Sequence, residues 1–198
     1  MFITFEGVDG SGKSTQVRLL AEQLRGEGRD VLATREPGGT AFGEKARELI
    51  LGDDELAPWA EAALFTAARA QLVDQVIRPA LARGQDVLCD RYLDSSLAYQ
   101  GLARGLGVER VLEINLAATG HLLPDRTFLI LVPLDQAVLR RGNAPDRIER
   151  EGDDFVARVE SAYRELAGIF AQRIVTVDGN RPPEEVAKEI REQLRDLS

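Results

Sequence analysis

Gly7-Val8-Asp9-Gly10-Ser11-Gly12-Lys13-Ser14-Thr15 matches the pattern G-x-x-x-x-G-K-[ST], in which a glycine-rich loop cradles phosphates. Its flanks meet the physical requirement of that pattern. Met1-Phe2-Ile3-Thr4-Phe5 ahead of it is apolar and β-prone, and Val17, Leu20, Ala21 and Leu24 behind it recur at helical spacing. The stretch therefore predicts a strand, a loop and a helix in succession, with backbone N–H groups turned inward and the positive end of the helix aimed at the same point. Polyphosphate is the ligand such a nest holds. Lys13 would reach the β- and γ-phosphates of a bound nucleotide as a point charge, the Ser14 hydroxyl would ligate Mg²⁺, and the loop from Gly7 to Thr15 would wrap the phosphates.

Working outward, four further apolar runs alternate with helical patterns: Asp30 to Thr34, Asp86 to Asp90, Thr127 to Val132 and Arg173 to Val177. Runs as continuous as Val87-Leu88-Cys89 and Phe128-Leu129-Ile130-Leu131-Val132 belong to strands covered on both faces. The expected fold is a three-layer α/β domain spanning residues 1–198, with a five-stranded parallel sheet flanked by helices. Ligands of such sheets gather beyond the carboxyl ends of the strands. Three of those ends carry polar signals: the glycine loop, Thr34-Arg35-Glu36-Pro37-Gly38-Gly39-Thr40, and Asp90-Arg91-Tyr92.

Composition narrows the function classes. With 25 basic against 33 acidic residues the net charge is −8, so no general basic face is available for nucleic acid or an anionic membrane. A polyanionic ligand must then be met locally, by clustered arginines. No run approaches the roughly 20 apolar residues of a membrane span, and the expected compartment is the cytoplasm. The one cysteine, Cys89, lies inside an apolar run and reads as a buried, inert thiol; with one histidine, it leaves no ordinary zinc site.

The helical patterns run from about Lys13 to Arg25, Gly43 to Leu51, Pro58 to Ala82 with a kink at Pro79, Val108 to Ala118, Asp153 to Ala171, and onward from Pro183. Phe65 and Arg69 share one face of the long helix, where packing plus a solvated charge competes with a ligand role. Asp90 sits at a strand end, where a carboxylate holds a metal through water or caps a turn. Beyond it, Arg91-Tyr92 opens a polar loop through Ser95-Ser96-Leu97-Ala98-Tyr99-Gln100-Gly101. Later, Arg140 to Arg150 packs four arginines into eleven residues broken by glycine and proline. That composition suits a solvated face or a lid, here about residues 140–151, that brings an arginine to the phosphate in transfer. Tyr163 reads as core or as ligand contact.

A phosphate loop alone permits a motor, a switch or a kinase. The chain has no N-K-x-D element and, beyond the loop itself, no D-x-x-G turn, which a GTP-binding switch requires. Asp90 is followed by Arg91 rather than by the glutamate with which motor ATPases activate water. The arginine-rich segment and the polar groove suit instead a small kinase that moves phosphate onto a bound acceptor.

The residues also resemble a known family. Phe5-Glu6-Gly7 leading into the loop, Thr34 to Thr40, Phe65 with Ala68-Arg69, Asp90-Arg91-Tyr92 followed by Ala98-Tyr99-Gln100-Gly101, and Asp146-Arg147-Ile148-Glu149 are similar to the bacterial thymidylate kinases, nearly end to end. The resemblance implies ATP- and Mg²⁺-dependent phosphorylation of dTMP to dTDP on the way to dTTP, by a homodimer. It implies that Phe65 stacks on thymine, that Arg69 bonds a base carbonyl with Ser96 nearby, and that Asp9 accepts the sugar 3′-hydroxyl. Tyr99, with Gln100 beside it, would crowd the 2′ position. Arg91 and Arg35 would hold the acceptor phosphate, while Lys13, Ser14 and Asp90 manage ATP and metal. Members with glycine at position 10 place the catalytic arginine in the lid, which points to Arg141, with Arg140 and Arg147 as the neighbours that compete for the role.

Overall fold

The computed structural model describes residues 1–140 and 147–195. The apolar run before the glycine loop forms β1 (Phe2–Glu6), and the other four runs form β2 (Val31–Arg35), β3 (Asp86–Asp90), β4 (Arg126–Leu131) and β5 (Ile174–Asp178). They make one sheet in the order β2-β3-β1-β4-β5, every neighbouring pair parallel, which places β1 and its loop at the centre.

Side chains alternate between the two faces, as the two-residue period of a strand requires. Phe2, Val87, Cys89 and Leu129 enter one buried cluster, while Ile3, Phe5, Leu88, Phe128 and Ile130 enter the other. The second face is covered by α1 (Lys13–Gly26) through Val17, Leu20 and Leu24, and by α9 (Pro183–Glu192) through Val186 and Ile190. On the first face lie α2 (Ala41–Leu51), α3 (Pro58–Leu72), α4 (Arg78–Ala82), α5 (Leu93–Ser96), α6 (Val108–Thr119) and α8 (Asp153–Ile169). A short α7 (Leu134–Arg140), which the periodicity did not announce, follows β4. The three-layer parallel architecture is therefore present. Cys89 is fully buried, and burial raises its thiol well above the ordinary range, as an inert core cysteine requires.

Two segments differ from expectation. The helix predicted over Pro58 to Ala82 changes register at Val73–Ile77, where Arg78 N–H bonds to the Val73 carbonyl, one turn before α4 resumes with Pro79 near its start. Proline cannot donate to the preceding turn, and a widened π turn accommodates that loss. The segment read as a polar loop after Tyr92 is helical: α5 runs directly into a π-type stretch, Leu97–Ala103. Leu93 and Leu97, four residues apart, together with Ala98, are completely buried, so an apolar stripe hidden among serines turns this segment onto the core.

Candidate active site

The glycine loop joins the carboxyl end of β1 to α1. Gly10 adopts φ 82°, and a Cβ there would collide with the Ala137 backbone carbonyl, so the loop lies directly against α7 and no side chain fits at that position. α1 begins without a side-chain cap and without an acidic residue in its first turn. Its N-terminal N–H groups open into a groove of about 620 Å³ bordered by Asp9 to Gln16, Asp90 and Arg140 and, at the far end, by Gly179, Arg181 and Pro183.

Lys13 is buried against this groove. Its Nζ donates to the Val8 carbonyl at 2.9 Å and lies 3.6 Å from Asp9 Oδ1, and burial, then the nearby Arg91 charge, lowers its pKa. Ser14 Oγ donates to Asp90 Oδ2 at 2.5 Å, which brings the first turn of α1 onto the end of β3. Arg35 stands at the rim, paired with Glu44 at 3.0 Å.

A second cavity, of about 80 Å³, adjoins the groove. Asp9, Glu36, Arg47 and Arg91 line both. Its own walls are Pro37, Leu51, Phe65, Ser95, Tyr99, Gln100 and Ile148. Phe65 is half-buried there, one helical turn before Arg69. Arg69 lies behind the cavity, only 1% exposed, with each of its three nitrogens engaged: Nε to Glu36 Oε2 at 2.7 Å, Nη1 to Ser96 Oγ at 3.0 Å and to Asn115 Oδ1, and Nη2 to the Tyr92 carbonyl at 3.0 Å. Burial pushes Glu36 up to about 7 in spite of its Arg69 partner. Tyr99 is likewise pushed up to about 12 by burial.

Arg91 occupies the left-handed region, φ 68°, at the exit of β3. Its Nη2 donates to Asp9 Oδ1 at 2.8 Å and to Tyr99 Oη at 3.4 Å, and its Nη1 donates to Ser95 Oγ at 3.3 Å and Tyr163 Oη at 3.1 Å. Behind these hydroxyls is Glu6, fully buried, whose pKa is raised by burial and by the Asp94 charge.

The arginine-rich segment divides. Arg140 borders the groove, donating to the Gly179 carbonyl at 3.0 Å and to Asn180 Oδ1 at 3.3 Å. Arg147 turns away, donating from Nη2 to Glu61 Oε2 at 2.5 Å and from Nε to the Ile50 carbonyl at 3.0 Å. Arg141 and half of the 140–151 segment (residues 141–146) lie outside the described residues.

The structure brings the sequence-predicted Lys13, Ser14, Asp90, Arg91, Phe65, Tyr99, Gln100 and Asp9 around two adjoining cavities, with Arg69 and Ser96 one layer behind. The sequence reading gave no role to Arg47, Glu6 or Ser95. Arg47 carried only the helical spacing of α2, Glu6 entered only through the Phe5-Glu6-Gly7 resemblance, and Ser95 only as part of the polar stretch after Tyr92.

Comparison with known proteins gives a consistent picture. The family model described as thymidylate kinase matches residues 5–190. A thymidylate kinase of Pelotomaculum thermopropionicum is 49% identical over 185 residues, covering 91% of this chain and 86% of the relative. One of Synechococcus sp. (strain JA-3-3Ab) is 50% identical over 191 residues, covering 96% and 93%. The crystal structure of thymidylate kinase from Ehrlichia chaffeensis superimposes with a TM-score of 0.82 at 32% identity, covering 98% of both chains.

Proposed function

Because this chain belongs to the thymidylate kinase family and so phosphorylates dTMP to dTDP, we propose that ATP is the donor, that Mg²⁺ accompanies it, and that the two nucleotides enter the two cavities from opposite sides of the Asp9–Arg91 pair. One observation carries this reading: Asp9, Glu36, Arg47 and Arg91 line both cavities, so phosphates held in each would meet there.

The ATP phosphates would lie along the loop and the start of α1, with Lys13 on the β- and γ-groups and the nucleoside end toward Gly179, Arg181 and Pro183. Ser14 and Asp90 offer two hard oxygen ligands within 2.5 Å of each other, which fits Mg²⁺, an ion held by one or two protein oxygens together with phosphates and water. Among the described residues no cluster of three or more His, Cys, Asp or Glu would cage a metal instead. When bound, the ion would neutralise charge on the transferring phosphates.

In the acceptor cavity Phe65 would stack on thymine and Tyr99 would crowd the 2′ position, with Gln100 alongside. A base carbonyl would draw Arg69 Nη1 from Ser96, whose hydroxyl then turns to the base. The cavity is small beside a nucleotide, so binding requires side chains to shift. The exchange we assign is at Arg91: Nη2 leaves Asp9 for the acceptor phosphate, and Asp9 turns to the sugar 3′-hydroxyl. Arg35 would close the rim. Phosphoryl transfer passes through a loose, highly charged transition state, so surrounding it with Lys13, Arg91 and Arg141 is most of the catalysis. Arg140, the residue before it, borders the groove.

The 198 residues would act as one cytoplasmic kinase domain paired as a homodimer. Exposed Phe42 and Leu49 on α2, Trp59 on α3 and Ile114 on α6, helices that pack side by side, support a covered face. No helix among the described residues is long and apolar enough to cross a membrane.

Metal dependence provides the test. Chelation of divalent cation is expected to abolish dTDP formation while calorimetry still detects dTMP binding, and Asp90→Asn is expected to raise the Mg²⁺ requirement roughly tenfold. Full transfer in the presence of chelator would contradict the assignment.

A further inference from the structure

Arg91 carries its two terminal nitrogens into different settings. Nη2 faces the cavities, bonded to Asp9 and Tyr99. Nη1 turns inward to two hydroxyl oxygens, Ser95 Oγ and Tyr163 Oη. Each hydroxyl has one proton to give. Both protons are claimed by one atom: Ser95 Oγ lies 2.6 Å, and Tyr163 Oη 2.8 Å, from Glu6 Oε2, closer than the 3.0 Å between the two hydroxyls. A hydroxyl that donates to a carboxylate must present lone pairs to its other neighbours, and here the neighbour is Nη1.

The carboxylate itself cannot rotate freely. Its Oε1 accepts from the backbone N–H of Tyr92 at 2.8 Å and of Ser95 at 3.2 Å. Glu6 therefore faces four donors, which suits an acceptor-only anion, and it fixes the chain that leaves Arg91 in its left-handed conformation. At 1% exposure it is out of reach of any nucleotide.

We propose that Glu6 is a positioning residue for the acceptor phosphate. By drawing the Ser95 and Tyr163 protons to itself, it makes both hydroxyls acceptors for Arg91 Nη1, so that one arm of the guanidinium stays fixed while Nη2 exchanges Asp9 for the phosphate. This rests on the assignment of Arg91 to the acceptor phosphate.

Glu6→Gln keeps the shape and reverses the polarity. If the amide nitrogen takes the Oε2 place, both hydroxyls must accept from it and turn protons toward Nη1; if it takes the Oε1 place, it meets two backbone donors. In folded Glu6→Gln protein, KM for dTMP is expected to rise about tenfold or more, with KM for ATP within about twofold. Tyr163→Phe, which leaves Glu6 intact and removes one acceptor, is expected to give a smaller rise of the same selectivity, and it decides the matter if Glu6→Gln does not fold. In an Arg91→Ala background neither change should add to the rise.

An unchanged KM for dTMP in both variants, while Arg91→Ala raises it, would overturn the inference alone. If KM rose equally for both nucleotides, Glu6 would be structural and the inference wrong. No effect of Arg91→Ala itself would overturn the assignment of Arg91, and this inference with it.

Discussion

Arg91 Nη2 donates to Asp9 Oδ1 at 2.8 Å, and that contact stands where the phosphate-loop groove and the Phe65 cavity meet. One residue comes from the glycine loop and the other from the end of β3, so the two strands that build the groove also build its border with the smaller cavity. The guanidinium is held on both sides at once, by Ser95 and Tyr163 behind and by Asp9 and Tyr99 in front.

A single ammonium cannot span that arrangement, because its three donors radiate from one point. Arg91→Lys, which keeps the charge, is therefore expected to lower kcat/KM for dTMP by about 10²-fold, in the range of a lost charge-assisted contact to a transferring phosphate. Steady-state kinetics with dTMP varied at saturating ATP reads this directly. A change below threefold would mean that charge alone suffices.

Phe65 contributes a half-buried ring to the smaller cavity and none to the groove. Phe65→Ala is expected to weaken dTMP binding by about 1–3 kcal/mol, the worth of a stacked base, and to leave ATP binding as it was. Calorimetric titration with each nucleotide separates the two; equal loss for both would remove the ring from the acceptor site.

Much of this was legible in the sequence because the informative residues are locally patterned. The five strands announced themselves as apolar runs, and the glycine loop fixed the centre of the sheet. The helix after Tyr92 escaped notice because its stripe of Leu93, Leu97 and Ala98 is interleaved with two serines that bond buried charges, Ser95 to Glu6 and Ser96 to Arg69, so a polar composition concealed an inward face. Arg47 and Glu6 escaped for a different reason. Arg47 matters through the two cavities it borders, which form only once the chain is folded, and Glu6 through residues distant in sequence, Ser95 and Tyr163, 89 and 157 positions away.

Glu36 offers a pH test of the buried pair with Arg69. Burial raises its folded-state pKa from 4.5 to about 7, so the folded protein holds a proton between those values that the unfolded chain releases. The stabilising share of that proton is complete below about pH 4.5 and is lost as pH rises through 7. Relative to Glu36→Gln, which does not titrate, wild-type stability in urea is expected to fall by on the order of 1–3 kcal/mol between pH 5 and pH 8. A difference that stays flat from pH 5 to pH 8 would show that Arg69 holds the carboxyl ionised throughout.

Glu61 is 1% exposed and accepts from Gln100 at 2.8 Å, from Arg104 at 2.9 Å and from Arg147 at 2.5 Å. Burial opposes its charge, but the two arginines and the glutamine outweigh burial and lower its pKa. Glu61→Ala leaves the partly buried Arg104 and Arg147 with Glu151 as their shared partner and is expected to cost about 2–3 kcal/mol, read from urea unfolding. A cost under 1 kcal/mol would indicate that the arginines find other partners.

The same geometry separates the arginines near the lid. Arg147 is tied to Glu61 and the Ile50 carbonyl, away from the groove, so Arg147→Ala is expected to lower stability with little loss of kcat in the folded protein. Arg141→Ala is expected to lower kcat by about 10²–10⁴ with a smaller change in ATP affinity, as loss of a charge-neutralising arginine does. Unchanged turnover in Arg141→Ala would move the role to Arg140.

The phosphate-loop groove and the cavity lined by Phe65 share one border at Asp9 and Arg91. The most direct measurement is ADP formation from ATP and Mg²⁺ with dTMP, dUMP, UMP, dCMP, AMP, GMP or no acceptor. Strong turnover with dTMP, less with dUMP and almost none with UMP or without acceptor is the predicted result. A missing methyl lowers affinity modestly, about 1–3 kcal/mol, whereas Tyr99, in the role proposed for it, would crowd a 2′-hydroxyl out of the cavity. Turnover with UMP equal to that with dTMP, or ADP formed equally well without any acceptor, would contradict the account.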